Sequence, residues 1–165
     1  MTHLDPHPAA PFPSSALPSA PPPFLDPADA ELARSATAAG AMALVLSPDG
    51  IVLHLRDDKS WIPHPGCWSL FGGAVEEGEL PAEAVLRELR EELGLVEVEC
   101  RPLWRVVDAH GDGRLLTVFE ARTPVRPEGM VLTEGQALAA FTHEAALELE
   151  LAPFCRRVLE RYASA

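Results

Sequence analysis

Between residues 81 and 93 the apolar side chains of Ala82, Val85, Leu86, Leu89 and Leu93 recur at three- and four-residue steps, the period that lays them along one stripe of an α-helix. A helix with one apolar stripe needs a surface to cover. The neighbouring segments supply it, because residues 41–46, 51–55, 68–71, 96–107 and 115–121 are apolar runs of strand length. Ser47-Pro48-Asp49-Gly50 joins the first two runs as a reversing turn, and Gly111-Asp112-Gly113 separates the last two, so each pair reads as a hairpin. Residues 26–38 read as a short helix with Asp26 as N-cap and Pro27 in its first turn, and residues 142–149 and 152–163 as two more helices. Strands and helices interleave, which points to an α/β class with a mixed sheet and helices on its faces.

At 165 residues the chain is sized for one such core, and 47% hydrophobic with 23% charged residues is an ordinary globular balance. The net charge of -12 repels nucleic-acid backbones, so general nucleic-acid binding is not expected. A protein this acidic needs a cation to handle a phosphorylated substrate. Cys67, Cys100 and Cys155 are too scattered for a disulfide framework or a zinc site and read as reduced, buried thiols. Nine of the 17 prolines fall between Pro6 and Pro27, so residues 1–25 read as a disordered Pro/Ala-rich tail and residues 26–165 as the folded domain. No basic, apolar export signal opens the chain and no run is long enough for a membrane span, which leaves a cytoplasmic protein as the expectation.

Beside the apolar stripe of residues 81–93, Glu88, Glu91 and Glu92 gather on an arc about 100° wide. Like charges at these spacings repel by a few tenths of a kcal/mol per pair, so helix stability does not call for them. A Glu-rich helix face is ordinarily just solvated. Three carboxylates can also hold a hard cation, and an all-oxygen set suits Mg²⁺ or Mn²⁺ better than zinc.

The surrounding residues decide between these readings. Gly73, Glu79, Arg87, Glu88, Leu89, Glu91, Glu92, Gly94 and Leu95 match G-x5-E-x7-R-E-U-x-E-E-x-G-U at every defined position, U being a bulky aliphatic. This is the Nudix box, and the chain resembles the Nudix hydrolases, MutT-like members included. Chemically, Gly73 and Gly78 suit tight turns before the helix, Gly94 suits its left-handed end, and Arg87 can reach both Glu91 and Glu79. The resemblance implies an α/β/α sandwich with a loop-helix-loop catalytic motif. It further implies a Mg²⁺ (or Mn²⁺) site of Glu88, Glu91, Glu92 and the Gly72 carbonyl, with Glu79 and Arg87 as scaffolding. The implied reaction is hydrolysis of a phosphoanhydride in a nucleoside diphosphate linked to a second group, and a homodimer is compatible with it.

Beyond the box, Glu134 in Glu134-Gly135-Gln136 resembles the mobile glutamate loop of MutT-type members and is a candidate base, with a plain loop glutamate as the other reading. Arg56 sits where those members carry a phosphate-contacting arginine, or is a solvated strand-end cation. Trp61 is a candidate stacking surface for a base or a core aromatic, while Trp68 and Phe71 read as core. Phe71 replaces the proline many members carry before the paired glycines. Residues 150–153 lack the asparagine with which MutT-type members read an oxidised guanine, so an 8-oxo-dGTP sanitiser has no support there. His3, His7, His54, His64, His110 and His143 show no metal-ligand spacing and read as structural or solvated. A non-catalytic nucleotide sensor and an isomerase on the same scaffold stay open as alternatives.

Overall fold

The computed structural model describes residues 24–163, and the reading of residues 1–23 as a disordered tail lies outside them. Phe24 and Leu25, included in that tail, instead form a two-residue strand, β1, parallel to Trp104 and Arg105. Asp26 caps the next turn, accepting from the Ala28 N–H at 3.0 Å. The helix expected over 26–38 is shorter: a 3-10 turn at Pro27–Asp29 runs into α1, Ala30–Ser35, and Ala36 is already extended.

The centre of the molecule is β2, Ala39–Ser47. One edge runs parallel to β7, Leu115–Arg122, and β7 pairs in turn with β6, Glu99–Val107. The other edge is divided: Gly40 to Ala43 pair antiparallel with β5, Phe71–Ala74, and Val45 to Ser47 pair with β3, Gly50–Leu55. β3 also carries β4, Trp68–Ser69, and β8, Ala137–Phe141. The run expected as one strand at 68–71 is therefore two, broken at Leu70, because its halves pair with different partners. Residues 96–98 precede β6 and are not strand.

β2 is apolar on both sides because both are covered. Met42 and Leu44 face one cluster with Leu53, Leu116 and Val118, closed by Phe154, Val158 and Leu159 of α4, Pro153–Ala163. Ala41, Ala43 and Val45 face the other with Val52 and Phe119, closed by Val85, Leu89 and Leu93 of α2, Pro81–Leu93. A mixed sheet between helices is the α/β/α sandwich the resemblance implied. A short α3, His143–Leu147, capped by Thr142, precedes α4 and also ends earlier than the pattern suggested.

The buried stripe of α2 is rotated from the expected one. Leu86 is 40% exposed, whereas Ala84 and the carboxylate-bearing Glu92 are buried. The helix lies with the Glu92 side, and not the Leu86 side, against the sheet. Of the thiols, Cys155 is buried, but Cys67 and Cys100 are only half-buried, and all three are free. Among the described residues no helix is long and apolar enough to cross a membrane.

Candidate active site

The box folds as strand, loop, helix and cap. β5 carries Phe71, Gly72 and Gly73, a loop follows, and Pro81 opens α2, whose first turn is held by the Glu83 carboxylate on the Leu80 N–H at 2.9 Å. Gly94 ends the helix with φ +62°, its N–H turned back to the Arg90 and Leu89 carbonyls. Gly73 plays a different part from the turn expected of it. It lies in the β2–β5 ladder opposite Ala41, and a Cβ there would come within 2.5 Å of Glu88 Oε1. The missing side chain makes room for a carboxylate.

Arg87 is the hub of the loop. Its guanidinium donates to both Glu79 oxygens at 2.8 and 2.9 Å, to Glu88 at 2.9 Å, to Glu91 at 3.3 Å and to the Ala74 carbonyl at 3.0 Å. The contacts to Glu79 and Glu91 follow from sequence spacing; the ones to Ala74 and Glu88 do not. Hydrogen bonding from Arg87 holds the Glu79 carboxyl down at about 2. The fork geometry of a guanidinium suits this two-oxygen grip.

The three glutamates have unequal surroundings. Glu92 is buried, accepting the Gly72 N–H at 3.0 Å. Burial first, then the negative charges of Glu88 and Glu134, push its carboxyl up to about 8, against the opposing pull of the Gly72 N–H and Arg56. Glu88 is also raised, by burial and by Glu91 and Glu134, with Arg87 opposing. Glu91 is turned to solvent, its side chain 58% exposed on Arg87. Among the described residues no three His, Cys, Asp or Glu side chains converge as a ready metal cage. Glu134 has joined the electrostatic neighbourhood of Glu88 and Glu92 across the fold, a proximity the sequence did not reveal.

Two adjoining cavities meet at Arg56 and Glu134. The larger, about 360 Å³, includes His54, Trp61 and Thr133 in its wall. The smaller, about 220 Å³, reaches Gly72, Gly73 and Glu92. Arg56 is fixed between them, its Nε donating to the Pro63 carbonyl at 2.8 Å. Trp61 is 78% exposed at the rim, with Lys59 Nζ 6.0 Å from its ring. Phe71 is fully buried and stacked on His54 at 4.6 Å, and Trp68 meets Phe141 edge-on, so both are packing residues as expected. His64, read from the sequence as structural or solvated, is held by Asp108 and lines the smaller cavity with Asp108, Asp112 and Arg114. No motif or spacing pointed to that group.

The NUDIX domain family model matches residues 36–162, most of the chain and all of the site just described. The chain belongs to the Nudix family. Its family is that of the Nudix hydrolases. It is 31% identical over 124 residues to the CTP pyrophosphohydrolase of Escherichia coli K12, a match covering 73% of this chain and 88% of the relative. It is 40% identical over 84 residues to the nucleoside triphosphatase NudI of E. coli O139:H28, covering 46% of this chain and 57% of NudI, so only about half of that relative is spanned. Among solved structures, the Nudix hydrolase RenU of Mycobacterium smegmatis superposes with a TM-score of 0.60 at 26% identity over 78% of this chain and 84% of that one.

Proposed function

We propose that this Nudix hydrolase performs Mg²⁺-dependent hydrolysis of the phosphoanhydride in a nucleoside triphosphate or a related nucleoside diphosphate derivative. The observation that carries the reading is the buried Glu92 carboxylate, pushed up to about 8 beside Glu88 at a chamber edged by Gly72 and Gly73. Burying like charges side by side is costly unless a cation joins them, and the all-oxygen donor set fits a hard divalent ion. Glu88, Glu91, Glu92 and the Gly72 carbonyl would hold it, with Glu91 released from Arg87. When bound, Mg²⁺ neutralises phosphate charge and activates a water.

The remaining roles fall to the chain's own residues. Arg87 and Glu79 hold the loop and keep Glu88 oriented. Arg56, lining both cavities, offers donors to a phosphate. Glu134, within electrostatic reach of Glu88 and Glu92, would take the proton of an attacking water. Trp61 offers a rim surface on which a base can stack. The names of the CTP pyrophosphohydrolase and nucleoside triphosphatase relatives support the triphosphate class.

The test incubates the full chain and a Glu91→Gln, Glu92→Gln double variant with Mg²⁺ and a panel of nucleoside triphosphates, ADP-ribose, sugar nucleotides, dinucleoside polyphosphates and 8-oxo-dGTP. Metal-dependent release of phosphate or pyrophosphate, lost in the double variant, is expected. Nucleotide binding without turnover of any compound would replace the enzyme reading with the sensor one.

A further inference from the structure

Away from the glutamates, the smaller chamber ends on a pair of side chains outside the box. His64 Nε2 lies 2.8 and 2.9 Å from the two carboxylate oxygens of Asp108, and both side chains are only 7% exposed. An ionised carboxylate only accepts, so Nε2 carries the proton and donates. His64 also holds φ +52°, the left-handed backbone region that few residues other than glycine adopt, histidine more readily than most.

The surroundings of His64 come from both sides. The Phe154 ring lies 5.7 Å from the imidazole. Asp108 organises the β6–β7 turn, its N–H donating to the Arg114 carbonyl and its own carbonyl accepting from Gly111 and Gly113. A Cβ on Gly111 would press into the Asp108 carboxylate and lie 2.8 Å from His64 Nε2. Two segments 44 residues apart are thus locked together in the wall of the chamber that also holds Glu92.

The chemistry of this end is lopsided. Asp108 and Asp112 are acceptors, and Arg114, the cation among them, is drawn to Asp112 at 2.9 Å. Met42, Leu116 and Phe154 add apolar surface suited to a flat ring. We propose that the His64–Asp108 end of the chamber selects a nucleobase presenting an exocyclic amino group. This rests on the hydrolase reading only for where the diphosphate lies. An oxo group in the same place would set acceptor against acceptor, and one unmatched buried polar group weakens binding about 10- to 100-fold.

The experiment measures binding of the full chain with Mg²⁺ to the α,β-methylene analogues of CTP, UTP, ATP and ITP by calorimetry, so that turnover is not required. Within the cytosine–uracil or the adenine–hypoxanthine pair the amino member is expected to bind about 10- to 100-fold more tightly. Asp108→Asn and His64→Gln should collapse that ratio to within about threefold, and a thermal melt reports whether each variant is folded. His64→Asn, which tolerates positive φ, replaces either variant that fails to fold. A clamp without substrate contact would weaken all four analogues alike and keep the ratio, which overturns the proposal. Equal binding of amino and oxo members by the unaltered protein, or binding of none, overturns it too. A preference without hydrolysis of the natural triphosphates would leave the selection intact and remove the hydrolase reading instead.

Discussion

Gly72 and Gly73 stand side by side in β5, yet alanine at each is expected to fail in opposite ways. Gly72 has φ +144°, and a Cβ there would drive into the Ala41 carbonyl and lie 2.8 Å from both the Cα and Sδ of Met42. The first two obstacles are backbone of the central strand and cannot move alone. Backbone strain of about 1–3 kcal/mol and overpacking of about 1–3 kcal/mol together make Gly72→Ala cost about 2–6 kcal/mol. Part of a typical domain's whole stability is lost. Gly73 has no left-handed backbone, and its added Cβ would meet the far end of the Glu88 side chain. That carboxylate can swing away, so Gly73→Ala should cost less than about 1 kcal/mol. The swing, however, removes Glu88, a proposed metal ligand, from its place beside Arg87, and the loss should be at least the roughly 10- to 100-fold in activity or metal affinity that losing a partner of a ligand costs. Urea melts of both variants, followed by Mg²⁺-dependent turnover of the best substrate, separate stability from function. Equal destabilisation by the two alanines, or full activity in Gly73→Ala, would refute the reasoning.

Three further outcomes are expected. Burial of Glu120 opposes ionisation, but Arg101, Tyr162 and Arg122 outweigh it and bring its carboxyl down to about 2. Its stabilisation is then present above about pH 4.5 and lost as pH falls toward 2, by about 1–2 kcal/mol after allowing for arginines more than 60% exposed; Glu120→Gln should flatten acid melts in that window. His54 is brought down to about 4, chiefly by burial, so its contribution is present above about pH 6.5 and lost as pH falls from there to 4. A His54→Gln variant that keeps the full loss across that window would contradict this. Mg²⁺ should raise the melting temperature of the unaltered protein and have little effect on Glu92→Gln, which keeps an acceptor for the Gly72 N–H but removes the charge; an equal rise in both would take Glu92 out of the metal site.

The local parts of this protein were legible in its sequence because their physics is local. The α2 period, its Gly94 end, the Arg87–Glu79 and Arg87–Glu91 contacts and the two hairpins all depend on residues a few positions apart, and the spacing of the box carried the family. Pattern reading failed where partners come from afar. The segment at 68–71 looks like one strand until β2 and β3 claim its two halves, and Leu86 looks buried until the sheet meets the Glu92 side of the helix.

The site divides along the same line. Which carboxylates, arginine and glycines occupy the loop-helix-loop unit was determined by the sequence alone, since a helix places i, i+3 and i+4 together wherever it packs. Only the tertiary structure decided that Glu92 is buried while Glu91 faces water, that Glu134 comes within electrostatic reach of both Glu88 and Glu92, and that His64 meets Asp108. Those outcomes depend on how the sheet is paired and which helix face it covers, and a contact closed across 44 residues leaves no periodic trace along the chain.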